Sequence, residues 1–363
     1  MDLELSDEQV WIEESINTLL DRQWPAAEAA WQAGESDRAR LWGHLVEFGV
    51  LSGAGTDLGA IELCLVARAI GAHLASVPLL GSAGVRYALA PFGGELPNGF
   101  AAAVDGQSTV SIALLEPGGG WSAASARATV DSNRLTGTKA AVEHAADTDH
   151  FAVVARVDGE PGLAIVGNPS PSIELTPQSS LDATVPLSRA TFADTTVDAV
   201  AYGELGETII ERLTSVGAIL AAAEAIGAAA GIFEQARRYA SERRQFGRTI
   251  GSNQALRHLM ADLHVRQASG WSTTLFAAAA LDDGMPGARQ TASVAKAYVS
   301  RAAREVAHGS MQVFGGIAFT QEHPAHRFLR RIIVREQQFG DAAHHERELG
   351  RSLAAATRER VAL

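Results

Sequence analysis

The sequence contains a single cysteine, Cys64, among 363 residues, so no disulfide can form within the chain. A lone thiol is typical of a protein in a reducing compartment and is most often buried and inert. Long apolar runs are also missing, because Arg68, His73 and Glu224 interrupt the candidates before they reach the ~18 residues of a membrane helix. Residues Met1–Glu4 carry no basic or apolar signal segment. These absences predict a cytoplasmic protein that does not span a membrane.

Basic residues are scarce as well, with 30 Lys and Arg against 42 Asp and Glu and a formal net charge of −12. Nucleic acid is therefore excluded as a partner, because phosphate backbones require a net basic surface. The histidines do not suggest a metal site, since His323 and His326 flank a proline and His344 adjoins His345. An anionic ligand must be bound by a local arginine cluster.

The hydrophobic pattern changes twice along the chain. Helical spacing of apolar residues extends from Ser6 to about Phe92, within a first domain placed at 1–107, and Ser6 with Gln9 resembles a capping box at its start. Short β-rich runs separated by Gly, Pro, Asp and Asn occupy 108–202, and long helical stripes fill 203–363. We therefore predict a helical domain, an antiparallel β-domain and a second helical domain.

Two segments carry side chains suited to a phosphate-bearing ligand, Tyr239–Gln254 and Gln312–Pro324. Arg243 offers a planar guanidinium that can bind phosphate oxygens through two hydrogen bonds. Gly315 and Gly316 remove side chains where a backbone must approach a cofactor, and Gln312 can both donate and accept hydrogen bonds. Either motif alone is more often a solvated face or a helix break, so their combination and order carry the interpretation.

In sequence and separation, these two segments resemble signature stretches of the acyl-CoA dehydrogenase family of flavoproteins. The resemblance implies a mainly α fold with a central β-domain and a C-terminal four-helix bundle over 203–363. It implies FAD as cofactor, in an oligomer. By the resemblance, the ADP side of an FAD whose flavin ring sits in a neighbouring subunit would be contacted by Arg243, Gln245, Phe246, Gln312, Gly315 and Gly316.

The catalytic carboxylate of the family is not found where the resemblance places it. The family reaction removes an α-proton from an acyl-CoA thioester with a glutamate while a hydride passes to the flavin. Counting from the Gly-Gly motif brings that position to Phe339, and the alternative position of some members falls on Gly217. Glu211 and Asp341 are the nearest carboxylates, and Asp341 is also suited to begin a helix.

The β-domain departs from the family pattern on the side of the flavin ring. The segment Leu115–Ser122 resembles the family's flavin loop, but its threonine is replaced by Leu115 and its serine by Trp121. Further on, Ala141 and Glu143 stand where the family has tryptophan and threonine against the flavin. The adenosine side is thus retained while the ring side and the base are lost.

This asymmetry resembles the heteromeric acyl-CoA dehydrogenases of actinobacteria, several of which act on steroid side-chain CoA thioesters. Our leading hypothesis is a non-catalytic subunit that completes the FAD site of a catalytic partner in an α2β2 assembly, with electron-transfer flavoprotein as acceptor. A second hypothesis is an active homomeric flavoenzyme with Asp341 or Glu143 as a displaced base. A third is a flavin-free structural or assembly subunit.

Overall fold

The computed structural model describes residues 4–27, 29–51, 58–104 and 106–361. The first three residues, on which part of the signal prediction rests, lie outside these ranges. The α-helices are α1 (Asp7–Gln23), α2 (Glu35–Phe48), α3 (Ala60–Ala72), α4 (Leu79–Leu89), α5 (Gly203–Glu242), α6 (Gln254–Asp282), α7 (Ala288–Phe314), α8 (Ala325–Gln337) and α9 (Ala342–Val361).

Between α4 and α5 the chain forms the strands of one sheet, and a small hairpin follows α5. The strands are β1 (Val110–Ala113), β2 (Thr129–Asp131), β3 (Arg134–Glu143), β4 (His150–Val157), β5 (Glu160–Gly167), β6 (Ile173–Gln178), β7 (Leu187–Thr196), β8 (Ala199–Tyr202), β9 (Arg244–Gln245) and β10 (Arg248–Thr249). The predicted order of helices, sheet and helices is confirmed.

Local sequence signals determine where several of these elements begin and end. The capping box of α1 is confirmed, because the Gln9 backbone N–H donates to Ser6 Oγ at 3.2 Å and the Ser6 N–H donates to Gln9 Oε1 at 3.0 Å. The turn-forming segment Asp283-Gly-Met-Pro-Gly lies between α6 and α7. The predicted break at the Gly-Gly motif is also found, since α7 ends at Phe314 and Gly315 adopts φ +67° as its C-cap.

The chain divides into two compact units. Unit 1 comprises 1–34, 60–75 and 218–363, and unit 2 comprises 35–59 and 76–217. Unit 2 contains the eight-stranded sheet, in the order β6-β7-β3-β2-β4-β5-β8 with β1 beside β4. The three predicted domains, 1–107, 108–202 and 203–363, follow sequence order, whereas the units are grouped by contacts between distant segments.

The sheet of unit 2 is mixed, so the prediction of a wholly antiparallel β-domain was wrong in two pairings. Strand β4 pairs in parallel with β1 through His150–Val153 and with β2 through Arg156–Val157. Both short strands therefore share one edge of β4, and the long segment that separates β1 from β4 allows the parallel arrangement. The remaining strand pairs are antiparallel, and those of β3 with β7 and of β5 with β8 join strands that are not consecutive in the chain.

Unit 2 buries one apolar cluster against this sheet. Phe151 of β4 and Phe192 of β7 are fully buried and meet edge to face, with ring centroids 5.7 Å apart. Alternate residues of β4, from Phe151 to Val157, and Ala164 and Val166 of β5 belong to the same cluster. Strand β3, which carries Ala141 and Glu143, contributes Leu135 and Val142 to this core.

In unit 1, α3 and α5 cross at glycine. A Cβ atom added at Gly71 would lie 2.0 Å from the carbonyl oxygen of Glu224, and one at Gly227 would lie 2.0 Å from that of Arg68. The two backbones approach so closely that no side chain fits at either position. This close crossing buries the middle of α5.

Helix α5 is long and apolar enough to cross a membrane by length and composition, contrary to the expectation that Glu224 would interrupt it. Of the qualifying window, 89% is buried inside the structure, as in the core helix of a soluble protein. The charge of Glu224 is balanced internally: its Oε1 lies 2.9 Å from Arg331 Nη1 and 2.8 Å from Arg335 Nε, and all three side chains are buried.

Candidate functional site

The first predicted binding segment forms a hairpin at the end of α5. Arg248 and Thr249 pair antiparallel with Gln245 and Arg244. The turn consists of Phe246 at φ +51° and Gly247 at φ +78°. Two successive left-handed residues produce the tight twisted turn that joins two-residue hairpins. Phe246 is thereby held 98% exposed at the tip.

Arginine side chains surround this hairpin. The Arg244 guanidinium donates to the Gly247 carbonyl at 3.3 Å, and Arg248 donates to the Asn253 side-chain oxygen. The exposed guanidinium of Arg243 makes no side-chain hydrogen bond or ion pair within the described part of the chain. Its backbone is fixed, because the Arg243 N–H donates to Tyr239 at 2.8 Å. Arg243 therefore has all its side-chain donors available for an anionic ligand.

The second predicted segment begins where α7 ends. Gln312 and Gly316 are exposed, and Gly315 has φ +67° and ψ −143°, a conformation essentially reserved for glycine. A short 3₁₀ helix follows from Gly315 to Phe319. A Cβ atom at Gly315 or Gly316 would meet no heavy atom within 4 Å, so both glycines present bare backbone to open space.

Residues that precede the Arg243 hairpin and the Gly-Gly motif contact each other in the structure. Tyr239 lies one helical turn before Arg243, and Phe314 directly precedes Gly315. The ring centroids of Tyr239 and Phe314 are 5.3 Å apart. An available guanidinium, an exposed amide and bare glycine backbone fit one side of a dinucleotide pyrophosphate. A ligand held only by these surface groups of unit 1 would remain open to solvent on its other side.

A pocket of about 420 Å³ adjoins the hairpin, between the end of α5 and the start of α6. Its lining includes Arg237 and Arg257 together with Leu256 and Met260. Arg257 Nε donates to the Gly251 carbonyl at 3.0 Å, which fixes the guanidinium at the pocket wall. This mixed basic and apolar lining extends the surface that a nucleotide could contact.

The predicted position of the catalytic glutamate holds a phenylalanine in a fixed loop. Phe339 is 8% exposed and adopts φ +57°. Its carbonyl accepts a hydrogen bond from His345 Nε2 at 3.0 Å, while His345 Nδ1 lies 3.1 Å from Ser293 Oγ. Burial, with the nearby charge of Lys296, lowers the pKa of His345 to about 3, so this imidazole stays neutral. The loop offers no carboxylate at 339.

Asp341, the weak catalytic candidate, caps α9. Its Oδ1 accepts a hydrogen bond from the His344 backbone N–H at 2.7 Å, three residues later. This is the contact that an aspartate makes at a helix N-cap. Gly340, just before it, has φ +101°, and an added Cβ would lie 2.4 Å from the His344 ring. Asp341 is therefore held by the start of α9.

Sequence reasoning missed the buried ion network behind this loop. Lys296 Nζ donates to the carbonyls of Arg335 at 2.9 Å and Glu336 at 2.7 Å, at the C-terminal end of α8. Burial lowers the pKa of Lys296 to about 7, although Glu336 and Asp341 oppose the shift. The only signal in the sequence is a lysine inside the apolar stripe of α7, which pattern reading assigns to a solvated face.

In unit 2, the loop that resembles the family's flavin loop is held by Glu116. Glu116 is buried and accepts hydrogen bonds from Lys139 Nζ at 2.7 Å and from the Arg127 and Ala128 backbone N–H groups at 2.9 Å. Burial alone would raise the pKa of Glu116, but these bonds and the charge of Lys139 lower it to about 2. The Ala140 N–H also donates to the Leu115 carbonyl at 2.8 Å. Hydrogen bonds and a buried ion pair therefore fix the base of this loop.

Glu143, the other displaced-base candidate, ends β3 beside a buried histidine. Its Oε1 lies 3.6 Å from His144 Nε2, and His144 Nδ1 lies 3.9 Å from Asp147 Oδ2. Hydrogen bonding to His144 and the charge of Arg38, 3.8 Å away, lower the pKa of Asp147. Carboxylate, imidazole and carboxylate therefore follow one another at the end of this strand.

The remaining candidate residues, Gly217 and Glu211, lie apart from these sites. Gly217 is buried within α5, and Glu211 lies on the same helix nearly two turns earlier. Within the described ranges, no three His, Cys, Asp or Glu side chains come together in a way that could hold a metal ion. The candidate functional residues therefore lie at three places: the surface of the Arg243 hairpin, the loop of Phe339, and the end of β3 at Glu143.

Comparison with known proteins identifies the family. Residues 206–354 match the family model described as "Acyl-CoA dehydrogenase, C-terminal domain". The chain is 30% identical over 343 residues to acyl-CoA dehydrogenase FadE27 of Mycobacterium tuberculosis, covering 86% of this chain and 88% of that protein. The chain belongs to the acyl-CoA dehydrogenase family.

Solved structures share the fold. A chain of the ChsE4-ChsE5 complex from Mycobacterium tuberculosis superposes with a TM-score of 0.84 at 23% identity, covering 98% of this chain and 99% of that one. A variant of the Tcur3481-Tcur3483 steroid ACAD gives a TM-score of 0.83 at 24% identity, covering 97% of this chain and 99% of that one. The predicted acyl-CoA dehydrogenase fold is confirmed.

Proposed function

We propose that this chain is a non-catalytic subunit of an FAD-dependent acyl-CoA dehydrogenase and completes the FAD site of a catalytic partner. The observation that carries the proposal is the phenylalanine at 339, held in a loop fixed by His345 and Asp341, in a chain that keeps the exposed Arg243 surface. A phenylalanine cannot accept the α-proton of a thioester. The family chemistry then requires a carboxylate from another chain.

The residues of this chain would hold the adenosine-pyrophosphate side of the cofactor. FAD, when bound, supplies the hydride acceptor of the family reaction. Arg243 would bind the pyrophosphate, Gly315 and Gly316 would let it approach the backbone, and Phe246 would pack on the cofactor from the hairpin tip. Gln245 and Gln312 would supply amide hydrogen bonds. Since these groups lie at the surface of unit 1, the site is complete only with a second chain.

The neighbouring structures support a heteromeric assembly and a substrate class. One is the complex of ChsE4 with ChsE5, and another is a steroid ACAD whose name joins Tcur3481 with Tcur3483. We infer by this analogy an α2β2 assembly that desaturates a bulky acyl-CoA thioester of steroid side-chain type, passes electrons to an electron-transfer flavoprotein and resides in the cytoplasm.

Co-expression tests the assembly. The chain is purified alone and together with a catalytic acyl-CoA dehydrogenase subunit from the same organism, and absorbance and mass are recorded. We expect a colourless single chain and a yellow mixed complex. A single chain that already holds stoichiometric flavin contradicts the proposal, and a colourless mixed complex favours a flavin-free structural subunit.

Arg243→Ala tests the cofactor surface. Loss of a charge-assisted pyrophosphate contact should weaken FAD retention by the complex about tenfold or more, with unchanged subunit mass. Arg266→Ala is the matched control, because Arg266 is exposed on α6 and pairs with Glu305 at 2.9 Å. Equal flavin content in the wild-type and Arg243→Ala complexes refutes the assignment.

A second candidate, an active homomeric flavoenzyme, is favoured by one arrangement: Glu143, His144 and Asp147 follow one another at the end of β3. A carboxylate beside an imidazole is a reasonable acid-base pair. This candidate predicts turnover by the chain alone and its loss in Glu143→Gln. Asp341→Asn, by contrast, should act mainly on α9, because the Asp341 carboxylate caps that helix.

A further inference from the structure

A groove of about 700 Å³ follows the C-terminal half of α5 in unit 1. It extends along α5 from Ala230 to Glu242, which is about 18 Å at the usual helical rise. The ends of α1, α3 and α7 form its other walls. A groove of this length and volume has room for several residues of an extended peptide.

The groove is acidic. Three carboxylates line it, from Asp21, Glu234 and Glu242, whereas Arg238 is the arginine among its lining residues. Asp21 Oδ1 lies 3.1 Å from His73 Nε2, and Glu234 is shared between Arg238 and an arginine outside the groove. The exposed Glu242 makes no ion pair or side-chain hydrogen bond within the described residues. Excess negative charge disfavours a pyrophosphate here and favours a cationic occupant.

Aromatic rings also line the groove. Trp24 is 6% exposed, and its Nε1–H has no hydrogen-bond partner among the described residues. Tyr239 and Phe314 have ring centroids 5.3 Å apart, and the His323 ring lies 4.4 Å from that of Phe314. Carboxylates next to aromatic faces recognise ammonium and guanidinium groups.

The groove directly adjoins the candidate flavin surface. Glu242 and Phe314 line the groove, and each is followed directly in the chain by a residue of the candidate flavin surface, Arg243 and Gly315 respectively. A chain whose cofactor lies on the Arg243 surface therefore passes close to the groove. The charge of the groove is opposite to that of the hairpin, which distinguishes the two contacts.

We propose that this acidic groove binds an extended basic segment of the flavin-bearing partner subunit. The inference rests on the proposed function and names the contact through which the partner is held. Lysine or arginine side chains of the segment pair with Asp21 and Glu242. Their aliphatic parts pack against Trp24 and Tyr239.

Charge reversal tests the groove. Asp21→Lys/Glu242→Lys is titrated with the catalytic subunit of the yellow complex, and the dissociation constant is measured by surface plasmon resonance at several salt concentrations. We expect about tenfold or more weaker binding at low salt, with the difference shrinking as salt screens the charges. The neutral pair Asp21→Asn/Glu242→Gln should show a smaller loss in the same direction.

Asp262→Lys/Asp283→Lys is the matched control, because both residues are exposed, lie outside the groove and change the net charge equally. Its affinity for the partner should stay within about twofold of wild type. Equal weakening by the control, or no weakening by either groove variant in a yellow complex, overturns the inference. Tight binding of spermidine without any effect on assembly also overturns it, in favour of a small organic cation. If no yellow complex forms at all, the proposed function itself is contradicted, and not only the role of the groove.

Discussion

A buried ammonium group at the end of α8 illustrates what single residues contribute to unit 1. Carbonyl oxygens at a helix C-terminus carry partial negative charge and lack intrahelical donors. Lys296 of α7 supplies donors to two of them, from Arg335 and Glu336. Because these carbonyls directly precede the loop of Phe339, Lys296 is a positioning residue for that loop.

Lys296→Met should change how stability depends on pH. The folded pKa of Lys296 is about 7, below the ordinary value of 10.5. Between these values the unfolded chain carries a proton that the folded chain lacks, so wild-type stability rises with pH in this window by up to about 1.4 kcal/mol per unit. The methionine variant lacks this contribution. Urea unfolding at pH 7, 8 and 9 measures it.

The control for this experiment is Arg301→Met, an exposed cation on the same helix that pairs with Glu346. Its unfolding free energy should follow the wild-type pH profile. Parallel profiles for Lys296→Met and the wild type would show that the buried amine keeps its proton in the folded chain.

At the scale of elements, one carboxylate on α5 joins two arginines of α8. Glu224→Gln would remove the charge of Glu224 from beside the buried guanidinium groups of Arg331 and Arg335. Breaking a buried pair in this way costs about 3–5 kcal/mol of unfolding free energy. Glu234→Gln, which breaks an exposed pair on the same helix, should cost about 1 kcal/mol or less. Similar losses in urea unfolding for the two variants would contradict a role for the buried pair.

The end of α7 depends on a glycine conformation. Gly315→Ala places a side chain at φ +67° and ψ −143°, which costs about 1–3 kcal/mol, and should lower the melting temperature. Gly316→Ala is the matched control, because an added Cβ there meets open space and its φ is not positive. Its stability should stay within about 0.5 kcal/mol of wild type. An unchanged melting temperature for Gly315→Ala would refute the strain.

At the scale of the whole molecule, the retained and lost residues predict a stoichiometry. If this chain contributes only the adenosine side of a shared site, the complex should contain about one FAD per heterodimer, since each closed pair of unlike chains forms one complete site. Flavin absorbance combined with native mass measures this ratio. A ratio of about one FAD per chain would mean that this chain also holds a flavin of its own.

The sequence predicted the long periodic elements well because local signals specify them. The capping residues Ser6 and Gln9, the turn after α6 and the glycines after α7 act within a few residues, so their effects are readable from the chain alone. The parallel pairing of β1 and β2 with β4 was not readable, since it depends on which distant strand offers a free edge.

The sequence by itself determined the order of elements, the family resemblance and the absence of a glutamate at 339, because each depends on residue identity and spacing. Only the tertiary structure decided the rest. Lys296 and Glu224 are both buried, and each is bound by residues of α8 instead of by solvent. Asp341 caps α9, and Asp21 lines the same groove as Glu242. The physical reason is that burial and electrostatic pairing are set by residues far apart in the chain, and these contacts exist only after folding.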